Sequence, residues 1–161
     1  MKHILFVCTG NTCRSSMAEG IFKSELDKNP EISDKFTVES AGVSAYDGDT
    51  ASTNSIKVLK ERFGIDITGH KSKQINSDLI NKADLILTLT IGHRDTLVFN
   101  FPGARGRTFT IKEFVRKNSK GIKDTGSLDV RDPFGGSLEV YERCAEEIAA
   151  EIRELMIILK E

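Results

Sequence analysis

The chain opens Lys2-His3-Ile4-Leu5-Phe6-Val7-Cys8 and continues Thr9-Gly10-Asn11-Thr12-Cys13-Arg14-Ser15-Ser16. The first seven of these residues hold an unbroken apolar run of strand length, which reads as a buried strand over Lys2 to Cys8. From Ser15 to Lys28, Met17, Ile21, Phe22 and Leu26 fall close to helical spacing and predict a helix. The tight loop between them contains Gly10 and Asn11, two residue types that tolerate positive φ. A strand, a curled loop and a helix N-terminus make an anion site, because successive amides point inward and the helix dipole adds partial positive charge. Arg14 closes this ring with a planar fork that suits two oxygens of one oxyanion.

Cys8 stands at the bottom of that ring. The thiolate is the reactive form of cysteine, and helix N-termini and guanidinium groups favour it. The groups that hold an oxyanion therefore also prepare a sulfur nucleophile, and Ser15 is placed to donate a hydrogen bond to it. Alone, Cys8 reads as a small buried hydrophobe at a strand end. A cysteine, five spacers, arginine and serine at a strand-to-helix junction make the functional reading the stronger one.

Outward from this segment the pattern alternates strand and helix. Lys35 to Ala41 reads as a second strand, and Asp49 or Thr50 as the cap of a helix through Ile56, Leu59 and Phe63 that stops at Gly64. Ser77 to Asn81 reads as one or two turns, Ala83 to Thr90 as a third strand, Gly92 to Asn100 as a helix, and Arg107 to Thr110 as a short fourth strand. Tyr141, Cys144, Ala145, Ile148, Ala149, Ile152, Leu155, Met156 and Leu159 define an amphipathic helix capped by Ser137. Arg116 to Gly136 shows no period and is expected to fold as a long loop over the site. The expectation is one α/β domain over residues 1–161: three layers, a four-stranded parallel sheet with helices on both faces, and a phosphate-binding loop after the first strand.

Composition narrows the function. Of 161 residues 39% are hydrophobic and 29% charged, with a net charge of −1, so no global field favours nucleic acid or a membrane surface. No apolar run spans a bilayer, and the apolar start is too short for a signal peptide, so a cytoplasmic setting is expected. Cys8, Cys13 and Cys144 are too few and odd in number for a disulfide framework. Neither the Cys8–Cys13 spacing nor the scattered His3, His70 and His93 fit zinc, so no metal and no cofactor are expected.

Cys8 to Ser15, with Ser40-Ala41-Gly42, His70 and Asp132-Pro133, resembles the low-molecular-weight protein tyrosine phosphatase family in order and spacing over nearly the whole chain. The resemblance implies that Cys8 becomes a phosphocysteine, which water then hydrolyses. It implies that Arg14 and the amides of Thr9, Gly10, Asn11, Thr12, Cys13 and Arg14, with Ser15, bind phosphate. Asp132 matches the general acid, with Asp124 and Asp129 as competing candidates and an ordinary Asp-Pro turn as the bland reading. Asn11, Ser15, Ser40 and His70 match positions that hold the loop's shape, although His70 also reads as a residue of a surface turn after Gly69. Cys13 is expected to be a reversible disulfide partner of Cys8, and Cys144 inert packing. Many relatives have proline where this chain has Ser16, and Ser16 with Glu19 reads as a capping box instead.

Thr12 and Phe134-Gly135-Gly136 further resemble the bacterial protein-arginine phosphatase branch. A threonine hydroxyl can accept from a guanidinium N–H, where an aliphatic residue would leave that donor unpaired at a cost of about 1–3 kcal/mol. Thr12 also reads as a neutral spacer. Phe134 can stack on either planar group, and Asp47, Asp49 or Asp129 are expected near the mouth. The expected substrates are phosphorylated proteins, phosphoarginine ahead of phosphotyrosine, with inorganic phosphate as product and a monomeric enzyme. Two rivals of other classes are a thiol-dependent arsenate reductase and a non-catalytic phosphate-binding redox sensor. The first would need relay thiols near Asp84 to Gly92, where there are none.

Overall fold

β1 (Lys2–Cys8) lies in the middle of a parallel sheet ordered β2-β1-β3-β4, with β2 (Phe36–Gly42), β3 (Leu85–Thr88) and β4 (Thr108–Thr110). The computed structural model describes residues 1–121 and 126–161. The period-2 geometry of β1 divides the core. Ile4, Phe6 and Cys8 enter one apolar cluster, while Leu5 and Val7 enter the other.

On the first face α1 (Arg14–Asp27), α2 (Thr53–Phe63), α5 (Ile111–Asn118) and α6 (Leu138–Lys160) cover the sheet. Phe22 of α1 meets Phe6 edge-on, with ring centroids 5.8 Å apart. The face of α6 foreseen from its spacing is buried, from Tyr141 to Met156, and Ser137 Oγ accepts from Val140 N–H as its cap. On the second face α3 (Ser77–Lys82), α4 (Ile91–Asn100) and a 3₁₀ segment over Pro102–Arg107 supply Ile80, Leu97 and Ala104. Among the described residues no helix is long and apolar enough to cross a membrane.

Several local expectations need correction. Ser52, not Asp49 or Thr50, caps α2, its hydroxyl accepting from Ser55 N–H at 3.2 Å. The helix does stop at Gly64, which takes φ 66°. Ser16 and Glu19 form no capping box. α1 starts at Arg14, Ser16 Oγ donates to Cys13 O, and Glu19 is held by Ser40 and Lys23. The expected loop from Arg116 begins inside α5, which has a reciprocal capping box between Thr110 and Glu113. That Thr-x-x-Glu signal was legible in the sequence. The apolar set on this short helix, Ile111, Phe114 and Val115, spans little more than one turn, too little to establish a period.

The chain reverses direction across the sheet at β1, since β2 lies on one side of it and β3 on the other. Ligand crevices in such sheets open beyond the carboxyl ends of the strands at this point. Residues 8–14 occupy that place.

Candidate active site

The shape of the loop is read from its carbonyls. Cys8 O accepts from Val43 N–H, Thr9 O from Ser44 N–H and Thr12 O from Ser52 N–H, each at 2.9 Å. Asn11 O accepts from His70 Nε2 at 2.7 Å. Cys13 O takes both Met17 N–H at 3.0 Å and Ser16 Oγ at 2.9 Å. In a trans peptide the following N–H points opposite to the carbonyl, and the described residues contain no cis bond. With the carbonyls engaged by an outer shell, the amides of Thr9, Gly10, Thr12, Cys13 and Arg14 face the concave side.

Asn11 makes the curl possible. It is the one described non-glycine residue with positive φ, 59°. Its Nδ2 donates to Ser15 Oγ at 2.8 Å and Ser40 Oγ at 2.9 Å, and its Oδ1 accepts from Lys73 N–H at 2.9 Å. Ser40 Oγ passes its own hydrogen to Glu19 Oε1 at 2.6 Å. Asn11, Ser15, Ser40 and His70 are thus brought together around the loop. Gly42, at the end of β2, completes the seat. A Cβ there would lie 2.3 Å from Thr9 O and 3.0 Å from Asn11 N, both backbone atoms.

Cys8 Sγ is 2.9 Å from Ser15 Oγ, and Cys8 is 2% exposed. Ser15 Oγ already accepts from Asn11, so its hydrogen is free for the sulfur, with Ala41 O a more distant acceptor at 3.4 Å. Arg14 is buried and its fork is aligned on both arms. Nη1 donates to Val130 O at 3.0 Å, and Nη2 donates to Thr9 Oγ1 at 3.3 Å and lies 3.8 Å from Asp132 Oδ2. Val130 N–H is bonded to Leu89 O, which ties this segment to the end of β3.

A cavity of about 250 Å³ opens over the loop, lined by Thr9, Gly10, Thr12, Cys13, Arg14, Asp132 and Phe134. Asp132 is therefore the carboxylate that lines this cavity. Its Oδ1 accepts from Phe134 N–H at 3.0 Å, in an Asx turn that holds the side chain at the rim. Asp129 is spent on Ile91 N–H at the start of α4 and Asp47 on Gln74 N–H. Asp49 is held through its backbone against Ser72. None of the three lines the cavity, so the expected acidic mouth reduces to Asp132. Asp124 lies outside the described residues.

Cys13 is a buried thiol whose Sγ lies 3.4 Å from Tyr141 Oη and 3.5 Å from Ser52 Oγ. Cys144 is buried near Arg131 O, and burial pushes its thiol up to about 12, so it is held protonated and unreactive. Nothing in the spacing pointed to His93 or Val130 as neighbours of Arg14. Both reach the loop only through folding.

A parallel α/β sheet whose first strand delivers a cysteine into an amide-lined, arginine-closed loop defines a class, the cysteine-dependent protein phosphatases. Residues 3–161 match the low molecular weight phosphotyrosine protein phosphatase family, and the chain belongs to it. It is 41% identical over 152 residues to a protein-arginine-phosphatase of Geobacillus stearothermophilus, covering 94% of this chain and 92% of the relative. It superposes with a TM-score of 0.83 on a low molecular weight protein tyrosine phosphatase from T. tengcongensis at 42% identity, covering 97% of this chain and 98% of the other. It also superposes, with a TM-score of 0.87 at 35% identity and covering 99% and 96% of the two chains, on a YwlE arginine phosphatase mutant whose active-site serine is phosphorylated.

Proposed function

We propose that this chain, acting over residues 1–161 as one domain, removes phosphate from arginine side chains of proteins. Cys8 Sγ attacks phosphorus in line with the leaving nitrogen. The P–N bond breaks as the P–S bond forms, and Asp132 gives its proton to the departing guanidine nitrogen. Arg14 and the inward amides hold the three equatorial oxygens throughout. Water then attacks the phosphocysteine, Asp132 takes its proton, the P–S bond breaks, and inorganic phosphate leaves. We place the reaction in the cytoplasm and assign it to a monomer, consistent with three free thiols and no strong charge field.

The observation that carries the reaction is the outward set of carbonyls around Cys8. The observation that carries the substrate is Thr12. Thr12 lines the cavity, and among the described residues its hydroxyl makes only a weak 3.9 Å contact, with Cys13 Sγ. It can thus accept from a guanidinium N–H. Relatives of near-equal identity act on arginine by one name and tyrosine by the other, so identity alone does not separate the substrates. Phosphotyrosine is the second reading, since Phe134, an aromatic residue 78% exposed at the rim, can stack on a phenol ring as well as on a guanidinium.

Turnover of phosphoarginine and phosphotyrosine proteins is the test. Cys8→Ser is expected to lose turnover by at least about 10³-fold while retaining phosphate binding. Thr12→Ile is expected to shift the arginine-to-tyrosine ratio about tenfold toward tyrosine, one unpaired donor being worth about 1–3 kcal/mol. Turnover by Cys8→Ser would overturn the reaction. An unchanged ratio in Thr12→Ile would overturn the substrate argument.

A further inference from the structure

We propose that His93 is a positioning residue for the phosphate site: it donates from Nε2 to Thr9 Oγ1, leaving the Thr9 hydroxyl hydrogen to be given to a phosphoryl oxygen. This rests on the phosphatase reading above.

The geometry is a chain of three groups. Arg14 Nη2 donates to Thr9 Oγ1 at 3.3 Å, and His93 Nε2 lies 2.8 Å from the same oxygen. His93 is 6% exposed at the first turn of α4, where its own N–H is bonded to Thr90 Oγ1. Its Nδ1 is buried and, among the described residues, has no hydrogen-bond partner. That orphan nitrogen selects the tautomer. A hydrogen on Nδ1 would be a buried donor with no acceptor, the kind of orphan that folded proteins rarely tolerate. The hydrogen therefore sits on Nε2 and is given to Thr9.

A hydroxyl has two acceptor sites and one donor. With Arg14 and His93 both donating to it, Thr9 Oγ1 has its acceptor sites filled. Its one hydrogen must point elsewhere, and Thr9 lines the cavity that also holds Arg14 and Asp132. The neutral ring suits this role. Burial, and then the adjacent Arg14 charge, hold His93 at about 4, so it stays uncharged beside the guanidinium at neutral pH. The same link fixes Arg14, whose other arm is held by Val130 O. His93 thus does two things through one bond: it orients a hydroxyl donor and it keeps the fork in plane.

The test uses the full chain with a phosphorylated protein substrate, inorganic phosphate as inhibitor, and thermal melting as a control. His93→Phe keeps an aromatic ring but loses the donor. It is expected to lower kcat and weaken inhibition by phosphate, each by about tenfold, the worth of one ordinary hydrogen bond, because the Thr9 hydroxyl stays but is no longer oriented. His93→Gln carries an amide nitrogen at the same reach and is expected to recover activity to within about threefold of the parent by restoring that donor. Activity of His93→Phe within twofold of the parent, with Cys8→Ser inactive, would overturn this inference and leave the phosphatase reading standing. Equal loss in His93→Gln and His93→Phe would overturn it as well. Should His93→Phe not fold, ¹⁵N spectra of the imidazole in the parent decide: hydrogen on Nε2 is expected, and hydrogen on Nδ1 would overturn the assignment.

Discussion

Asp132 is fixed by its turn at the rim, 3.8 Å from Arg14. Its proposed work is on the leaving group, so its loss should depend on how badly that group needs a proton. Asp132→Ala is expected to slow hydrolysis of poor leaving groups by about 10²–10⁴-fold and of an activated aryl phosphate far less. Equal losses on both substrates would remove it from the acid's role. Cys13 is a buried thiol five positions from Cys8 in the same curl. If it is the reversible disulfide partner, mild peroxide should inactivate the parent and thiols restore it, while Cys13→Ser should stay inactivated after the same treatment. Recovery by Cys13→Ser to the parent's level would end that proposal.

The elements matter through where they stop. β2 ends at Gly42, and the loop after β1 lies against it closely enough that a Cβ would meet Thr9 O at 2.3 Å. No backbone atom can yield at that distance without moving the loop. Gly42→Ala is expected to cost at least about tenfold in kcat/KM, because misplaced loop amides lose contact with the developing charge. Crystals or chemical shifts of the variant should show the change at residues 9–11. α5 offers a contrast, since neither Thr110 nor Glu113 of its capping box lines the cavity. Thr110→Ala should lower stability by about 1 kcal/mol in denaturant melts and leave kcat/KM unchanged. A loss of activity there would mean that α5 supports the site after all.

The molecule as a whole responds to pH through groups that folding moves away from their ordinary values, His93 and Glu39 among them. His93 falls from 6.5 to about 4, mainly by burial and then by Arg14, with Asp129 and Asp132 opposing. As pH drops from 6.5 to 4, the unfolded chain binds a proton that the native state refuses, so stability declines. Glu39 is pushed up by burial, but hydrogen bonds from Lys73 and Lys82 outweigh this and bring it from 4.5 to about 2. Its contribution is full above 4.5 and is lost as pH falls toward 2. Denaturant midpoints should therefore slope downward in both windows. His93→Phe is expected to flatten the upper window and Glu39→Gln the lower. An unchanged slope in either variant would refute the corresponding assignment.

The strand over Lys2 to Cys8, the loop after it, the helix read from Ser15 and the long face of α6 were legible in the sequence. Each is one continuous segment whose own apolar spacing records which side it buries, whatever it comes to pack against. The nucleophile and the arginine were legible for the same reason, because one short loop carries both. Which aspartate reaches the cavity was not derivable from spacing, and the resemblance that pointed to Asp132 still left Asp124 and Asp129 in competition. Asp129 was drawn off by Ile91 N–H only once α4 lay against its segment. Val130 and His93 gave no signal, and Gly42 entered only through the resemblance, since their roles come from close approaches between distant parts of the chain. The sequence by itself thus determined a strand, a curled anion loop and a helix. The tertiary structure alone decided what surrounds that loop, because a hydrogen bond between His93 and Thr9 exists only after the sheet has brought α4 to the end of β1.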